Sequence, residues 1–335
     1  MKYLRLSMLM IPFLFSCEKL LFEEDIQSDD PFVNFDYLWN ECDRKYSYFE
    51  YKNIDWDAMK HKYRPMLYED MNDDSLFNVL GSMLRELRDD HTNLKSNFNV
   101  SFFGNYQSGP KNFDWRLLVD HYLPDHYYRT GPFSHDFLRG DSVAYVRLSS
   151  FSGSINNASL EFIMDRYKNT DGLILDIRQN GGGTISYVYK ILSRFVHEKT
   201  LLYYSRIKDG PGHNDFTAPE PVYLEPSEGT RYHSDIIVLV DRGSYSSSSL
   251  TALGIRAIPG ATLIGDTTGG GLGTPNGGQL PNGWTYRFSI TQTLDKYGNN
   301  YEDGVPPDVH ALIDWNDKTT DEVLERAINK ILNNQ

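Results

Sequence analysis

The stretch LILDIRQNGGG, residues 173–183, is an apolar run that ends in three consecutive glycines. A second apolar run opens the stretch IIVLVDRGSYSSSS, residues 236–249, and leads into a turn rich in serine. Each pattern predicts a buried strand that stops abruptly at a turn of small residues. If the two strands are neighbours in one sheet, the first turn offers backbone N–H groups and the second offers a serine hydroxyl. Nucleophilic catalysis by serine requires both.

The second half of the chain alternates short apolar runs with helical patterns. Strands are predicted at residues 143–148, 173–177, 236–240, 262–265 and 284–290. Helices are predicted at residues 157–167, 185–195 and 320–332. This alternation predicts an α/β layer with a mainly parallel sheet.

The first half of the chain predicts a small helical subdomain. Residues 32–88 carry apolar side chains at helical spacing. Within them, the polar residues 72–75 offer N-caps for a helix whose apolar face extends to Leu87. Residues 97–140 are aromatic, with scattered glycine and proline, and they predict no definite element.

The N-terminus predicts export to the bacterial cell envelope. A basic start is followed by an apolar segment, residues 6–15, that is too short to span a bilayer. The next residues complete the sequence LFSC, residues 14–17, which resembles the lipobox of bacterial lipoproteins. The resemblance implies lipid attachment at Cys17 and a periplasmic or outer-membrane location, with the membrane contacted only through the lipid. The alternative is an ordinary cleaved signal peptide with a chance cysteine.

These patterns divide the chain into four segments. The predicted bounds are 1–17 for the lipoprotein signal peptide, 18–31 for an acidic tether, 32–96 for the helical subdomain and 97–335 for the α/β core. The only other cysteine, Cys42, would have no partner once Cys17 carries a lipid. No intrachain disulfide is therefore expected.

Composition argues against several classes of function. The formal net charge of -13 argues against nucleic acid as the main partner. Hydrophobic residues make up 40% of the chain, which is sufficient for a packed core. The triple glycine follows neither common phosphate-binding pattern, and no set of His, Cys, Asp and Glu has convincing metal spacing. Neither a cofactor nor a metal is expected.

Four segments follow one another as in the tail-specific, or C-terminal processing, serine proteases. They are DGLILDIRQNGGG, IIVLVDRGSYSSSS, GATLIGDTTGGG and NYEDGVPPDV. On their N-terminal side, LRDDHTNL resembles the DGHT motif of the same family. The chain resembles this family over roughly residues 35–315. The resemblance implies a core similar to that of the crotonase and Clp-protease superfamily.

The resemblance also implies roles for individual residues. The nucleophile of the family matches Ser246. The lysine base of the processing branch matches Gly271, so a Ser–Lys dyad at that position is excluded. The tricorn-like branch uses a Ser–His–Glu arrangement instead, in which the histidine matches His91 and the glutamate matches Glu302.

An oxyanion hole is expected from the N–H groups of Gly183 and Ser247, the residue after the nucleophile. Many members of the family carry a PDZ domain between the histidine motif and the core. Here the segment from Leu94 to Ser142 is too short for one. The expected partner is a protein or peptide substrate that is recognised without a PDZ domain.

The function implied is that of an exported serine endopeptidase with an acyl-enzyme intermediate and a Ser–His–Glu triad. A histidine with an ordinary pKa of about 6.5 can accept the serine proton at neutral pH. Two alternatives remain open. One is a non-catalytic member that binds an apolar ligand, with residues 97–130 lining its cleft. The other is a hydrolase of a non-protein acyl group that uses the same triad.

Overall fold

The computed structural model describes residues 27–333, so Cys17 and the predicted signal peptide lie outside the described residues. The helices are α1 (Pro31–Lys45), α2 (Trp56–Tyr63), α3 (Asp73–Arg85), α4 (Trp115–His121), α5 (Asn157–Tyr167), α6 (Ile185–Leu192), α7 (Ser247–Ile255) and α8 (Glu322–Asn333). The strands are β1 (Asn93–Lys95), β2 (Val100–Phe102), β3 (Tyr128–Thr130), β4 (Phe133–Leu138), β5 (Val143–Leu148), β6 (Gly172–Asp176), β7 (Thr200–Ile207), β8 (Glu220–Leu224), β9 (Asp235–Val240), β10 (Ala261–Gly265), β11 (Pro275–Gln279), β12 (Thr285–Ser289), β13 (Thr291–Leu294) and β14 (Val309–His310).

The largest sheet has seven strands in the order β14-β10-β9-β6-β5-β4-β3. The strands from β14 to β5 run parallel to one another, whereas β4 and β3 are added antiparallel at the far edge. The parallel strands β5, β6, β9 and β10 lie within one residue of their predicted bounds. The predicted α/β class with a mainly parallel sheet is confirmed.

Helices cover both faces of this sheet, which explains why its strands are apolar without interruption. In β6, Leu173 and Leu175 belong to a core shared with α5, α6 and α7. Between them, Ile174 belongs to a second core, shared with α4 and α8. Because successive side chains of a strand point to opposite faces, a strand buried on both sides has no polar alternation.

Strands β6 and β9 are parallel neighbours, with Leu173 opposite Ile236. Their carboxyl ends therefore meet at one edge of the sheet. There the Tyr245 N–H of the serine turn donates to the Asn180 carbonyl of the glycine turn at 3.0 Å. The two turns quoted first from the sequence lie side by side.

The N-terminal helices pack against a second sheet, of order β11-β12-β1-β2. One face of this sheet adds Leu94, Tyr286 and Phe288 to the apolar core of α1, α2 and α3. The predicted boundary at residue 96 falls between β1 and β2, which pair with each other. The helical part is thus completed by the β11–β12 hairpin, which local sequence patterns cannot reveal. A third, smaller sheet has the order β13-β7-β8.

Side-chain caps determine where several helices begin. Asn72 accepts from the Ser75 N–H at 2.9 Å at the start of α3, as predicted, and Asn156 accepts from the Ser159 N–H at 2.8 Å at the start of α5. Such caps satisfy an N–H that has no partner inside the helix. Helix α7 differs, because Ser246 occupies its N-cap position without making a side-chain cap.

The segment between β1 and β5 holds only β2, α4, β3 and β4. These short elements do not form a PDZ domain, in agreement with the prediction from length. Among residues 27–333, no helix combines the length and the apolar character that crossing a membrane would require.

Candidate active site

Ser246 stands in the tight turn between β9 and α7 with an unusual backbone conformation. Its φ is 57° and its ψ is -117°, a region that residues other than glycine rarely adopt. The turn is held by the Ser246 N–H, which donates to the Gly270 carbonyl, and by the Leu250 N–H, which donates to the Ser246 carbonyl, each at 2.9 Å. Strain of this kind persists only where the surrounding structure imposes it, and it is common at functional sites.

His91 meets Ser246 from the second sheet, just before β1. The distance from His91 Nε2 to Ser246 Oγ is 2.9 Å. The His91 backbone N–H donates to Asp89 Oδ1 at 2.8 Å, and its carbonyl accepts from Arg287 Nε at 3.2 Å. The structure therefore brings together the predicted nucleophile and the predicted base, which are 155 residues apart in sequence.

The environment of His91 favours the neutral imidazole. Burial lowers its pKa below the ordinary value, the negative charge of Asp89 opposes this effect, and the positive charge of Arg287 adds to it. An imidazole that is neutral at pH 7 can accept the proton that Ser246 must lose. For Nε2 to be the acceptor, the ring proton has to be on Nδ1.

The glycine turn brings free backbone donors to the nucleophile. Ser247 Oγ donates to the Gly183 carbonyl at 2.7 Å and so joins the two turns. Within residues 27–333, no hydrogen bond uses the N–H of Gly183 or that of Ser247. A Cβ at Gly182 would lie only 2.9 Å from the Ser246 Cβ and 3.0 Å from the Ser247 nitrogen, so no larger residue fits.

Glu302 is buried near His91 but does not bond to it. Its Oε2 accepts from the N–H groups of Leu272 at 2.8 Å and Gly273 at 3.0 Å. Its Oε1 lies 3.9 Å from Lys52 Nζ. In the described part of the chain, His91 Nδ1 has no hydrogen-bond partner of normal geometry. The link between Glu302 and the imidazole is indirect, because the Gly273 backbone that Glu302 holds also interacts with the ring and raises its pKa.

The protonation of Glu302 is sensitive to pH near neutrality. Burial raises its pKa to about 7, and the nearby charge of Asp89 contributes to the increase. The Lys52 ammonium and the two backbone N–H groups oppose this effect. A change in pH around neutrality therefore changes the charge close to His91.

Four polar residues near the site were not identified from the sequence: Asp89, Lys52, Arg287 and Tyr48, whose hydroxyl feels the charges of Glu302 and Asp89. Asp89 lies inside the quoted LRDDHTNL segment, and its Oδ2 is buried without a hydrogen-bond partner among the described residues. The Lys52 side chain is 9% exposed and donates to the Arg88 carbonyl at 2.8 Å. No motif marks Lys52 or Tyr48, because their positions depend on how the segment after α1 packs against the rest of the chain.

A cavity of about 510 Å³ opens onto Ser246 and His91. Its wall also includes Gly271, the position of the lysine base in the processing branch. A Cβ at Gly271 would lie 2.3 Å from the Tyr245 ring, so a lysine could not stand there without rearrangement. Among residues 27–333, no group of three or more His, Cys, Asp or Glu side chains is arranged to hold a metal ion.

Known protein families match two parts of the chain. The sequence model of peptidase family S41 matches residues 142–311. The sequence model of the Tricorn protease C1 domain matches residues 29–85. The chain belongs to peptidase family S41. The resemblance to the tail-specific serine proteases is thereby confirmed, and the second match falls on the N-terminal helices.

Individual relatives support this assignment. A predicted peptidase from Parabacteroides merdae, known from a crystal structure, is 39% identical, and the match covers 91% of this chain and 98% of that chain with a TM-score of 0.86. A carboxyl-terminal-processing protease from Synechocystis is 29% identical over 39% of this chain and 29% of its own length. The carboxy-terminal processing protease CtpB from Bacillus subtilis is 23% identical over 51% of this chain and 34% of its own length. The match thus spans about a third of these two curated relatives.

Proposed function

We propose that this chain is an exported serine endopeptidase that hydrolyses peptide bonds through an acyl-enzyme intermediate. The observation that carries the proposal is the 2.9 Å contact between His91 Nε2 and Ser246 Oγ, at a strained turn beside free backbone donors. Membership in family S41 supports a protein or peptide substrate, because relatives of this chain include carboxyl-terminal-processing proteases. The proposed reaction needs only groups of the protein and water.

The reaction begins when Ser246 Oγ attacks the scissile carbonyl carbon and His91 Nε2 takes the hydroxyl proton. The carbonyl oxygen becomes negatively charged and accepts from the N–H groups of Gly183 and Ser247, each of which can lower the barrier by about 3 kcal/mol. Protonated His91 then donates to the leaving amine as the C–N bond breaks, which leaves an ester on Ser246. A water molecule deprotonated by His91 attacks that ester, His91 returns the proton to Ser246 Oγ as the C–O bond breaks, and the carboxylate product leaves.

Glu302 is the third member of the proposed Ser–His–Glu arrangement, and its role is that of a positioning residue. It accepts from two consecutive N–H groups and thereby fixes Gly273 in the cavity wall next to the imidazole. When Glu302 is ionised, its charge favours the imidazolium that forms at each proton transfer. This arrangement differs from one in which a carboxylate bonds directly to His91 Nδ1, because the effect of Glu302 reaches the imidazole through the Gly273 backbone.

A fluorophosphonate probe tests the nucleophile directly. The probe should label the wild-type protein at Ser246, as read by mass spectrometry of the labelled peptide, and Ser246→Ala should abolish labelling with the fold intact. Ser248→Ala is the matched control, because Ser248 belongs to the same serine run and its buried Oγ has no hydrogen-bond partner in the described part of the chain. A label on another serine would contradict the assignment. Parallel peptide and ester substrates would separate a peptidase from a hydrolase of other acyl groups.

The proposal also places the protein at the bacterial cell envelope, with a lipid on Cys17. The support is the sequence alone, in which a short apolar segment ends at that cysteine. A lipid-modified N-terminus contributes to holding a protein at a membrane surface without spanning it. Cys17→Ala should therefore remove palmitate labelling and release the protein to the soluble fraction. Cys42→Ala is the control, since Cys42 is buried in the N-terminal core and should not carry a lipid.

A further inference from the structure

A second open groove, of about 520 Å³, adjoins the catalytic cavity on the outer face of the four-stranded sheet. Side chains alternate between the two faces of each strand. Leu94 of β1 and Tyr286 of β12 point inward and are buried in the N-terminal core. Their neighbours Lys95 and Arg287 are exposed and line the groove on the outer face.

The outer-face side chains form two rows across the sheet. Antiparallel pairing places Arg287 opposite Asn93, and Asn93 opposite Phe102. The adjacent row, in the same strand order, consists of Thr285, Lys95 and Val100. Lys95 and Arg287 are therefore diagonal neighbours, with a typical separation of about 7–8 Å.

Two large apolar side chains are exposed on this face. Val100 is 48% exposed and Phe102 is 60% exposed. Single exposed apolar residues are common at protein surfaces and need no explanation. The position of this pair is informative because the groove that it lines adjoins the catalytic cavity, with Asp90 and Arg287 in the walls of both.

The charges of the groove point to an anionic partner. Neither Lys95 nor Arg287 forms an ion pair with any of residues 27–333, although the chain carries a net charge of -13. The Arg287 guanidinium is held in place by two neighbours. Its Nε donates to the His91 carbonyl. With the Asn93 side-chain amide rotated so that its oxygen faces Arg287, that oxygen accepts from Arg287 Nε and Nη2 at 3.1 Å each. Asp90 is the opposing charge, and its Oδ1 accepts from the Asn105 N–H at 2.7 Å. The groove therefore carries two positive side chains against one negative side chain, and an anion can balance the excess charge of Lys95 and Arg287.

We propose that this groove is a subsite for the peptide substrate, with a substrate carboxylate on Lys95 and Arg287 and an apolar substrate side chain over Val100 and Phe102. The inference rests on the proposed peptidase function and narrows its substrates to peptides with an acidic group near an apolar residue. A planar guanidinium can bind a carboxylate through two parallel hydrogen bonds. The carboxylate can belong to an Asp or Glu side chain or to the C-terminus of the peptide.

Binding to the Ser246→Ala protein separates this subsite from catalysis. Three peptides of one apolar-containing sequence are compared by fluorescence anisotropy: one with Glu and an amidated end, one with Gln and an amidated end, and one with Gln and a free end. The position of Glu is scanned on both sides of the apolar residue. The preferred acidic peptide should bind about tenfold more tightly than its neutral counterpart, since charged hydrogen bonds are the stronger kind. Which acidic peptide is preferred identifies the source of the carboxylate.

Lys95→Gln is the decisive variant, because Lys95 does not touch His91 and the substitution is at an exposed position. It should remove most of the acidic preference, whereas Lys296→Gln, at an exposed lysine outside both cavities, should preserve it. Phe102→Ala should weaken binding of all three peptides equally. Arg287→Gln should affect binding as Lys95→Gln does, and when introduced into the protein that retains Ser246 it should also lower turnover, because Arg287 holds the His91 carbonyl.

Several outcomes would overturn the subsite. They are equal affinity for the acidic and neutral peptides, an acidic preference that survives Lys95→Gln, and self-association that Phe102→Asp abolishes, which would assign the face to a second copy of the chain. None of these outcomes affects the peptidase assignment. That assignment fails separately, if the wild-type protein is not labelled by fluorophosphonate at Ser246.

Discussion

Replacement of Glu302 by glutamine should lower the turnover rate less than the loss of a directly bonded triad carboxylate. Glutamine keeps the shape of the side chain and an oxygen for the N–H groups of Leu272 and Gly273, but it removes the charge. Because no hydrogen bond joins Glu302 to His91 among residues 27–333, the imidazolium loses only an interaction that acts across Gly273. We expect kcat to fall about tenfold to hundredfold, or about 1.4–2.8 kcal/mol of barrier. A carboxylate bonded to the ring would cost about 10⁴.

The same replacement should change how stability depends on pH. Burial, with the charge of Asp89, raises the pKa of Glu302 to about 7 from an ordinary value of 4.5. The folded protein therefore favours the protonated carboxyl, and the stabilisation from this preference is complete below pH 4.5 and is lost as pH rises through 7. Glutamine does not titrate. From pH 4.5 to pH 8, the wild type should lose about 3 kcal/mol of unfolding free energy that Glu302→Gln does not lose. The difference in stability between the two proteins should therefore shift by that amount in favour of the variant.

Urea unfolding at pH 4.5 and pH 8 measures the stability difference, and single-turnover labelling with a fluorophosphonate or peptide hydrolysis measures the rate. Glu50→Gln, at an exposed position, is the control and should change neither quantity. A stability difference that stays constant with pH would show that the Glu302 carboxyl does not titrate near neutrality. A loss of about 10⁴ in kcat would show that Glu302 bonds directly to His91 during turnover. The first result refutes the raised pKa of Glu302, and the second refutes its indirect role.

The rate of labelling at Ser246 should rise along a limb centred below pH 6.5, because burial lowers the pKa of His91, and a limb only at alkaline pH would indicate a different base. Gly182→Ala should abolish labelling, since the added Cβ would lie 2.9 Å from the Ser246 Cβ and displace the nucleophile; labelling at the wild-type rate would contradict the close packing of the two turns. Asp321→Asn should lower the unfolding free energy by about 3–5 kcal/mol in urea, because the fully buried Arg178 loses one of its two carboxylate partners. An unchanged urea midpoint would show that the remaining partner is sufficient.

The parallel core could be predicted from the sequence because its signal is local. A strand buried on both faces must be apolar at every position, and β6 and β9 carry that pattern in consecutive residues. The turns that follow them are marked by glycine and serine, so the edge that holds Ser246 was also predictable. The role of His91 and the loss of the lysine at Gly271 could be inferred from the order of the family motifs along the chain, which requires no knowledge of contacts.

The remainder of the site could not be predicted because it depends on pairing between distant segments. Arg287 lies in the alternating strand β12, where an exposed charge is the ordinary expectation for an outward position. Only its pairing with β1, and its bond to a carbonyl 196 residues away, place it at the cavity. Lys52 reaches Glu302 in the same way, through packing that no spacing in the sequence encodes. The indirect link from Glu302 to His91 depends on atomic positions, which sequence motifs do not specify.

The nucleophile lies in a turn after β9 of one sheet and the base in a turn before β1 of another, so the catalytic contact depends on how the two sheets are joined. Ser246 is fixed by β9 and by the Gly270 carbonyl, within the parallel core. His91 is fixed by Asp89 and by Arg287, within the sheet that completes the N-terminal core. Leu94, three residues after the base, is buried in that core beside α3. The packing of the N-terminal helices therefore sets the position of the imidazole, although their apolar side chains do not line the catalytic cavity.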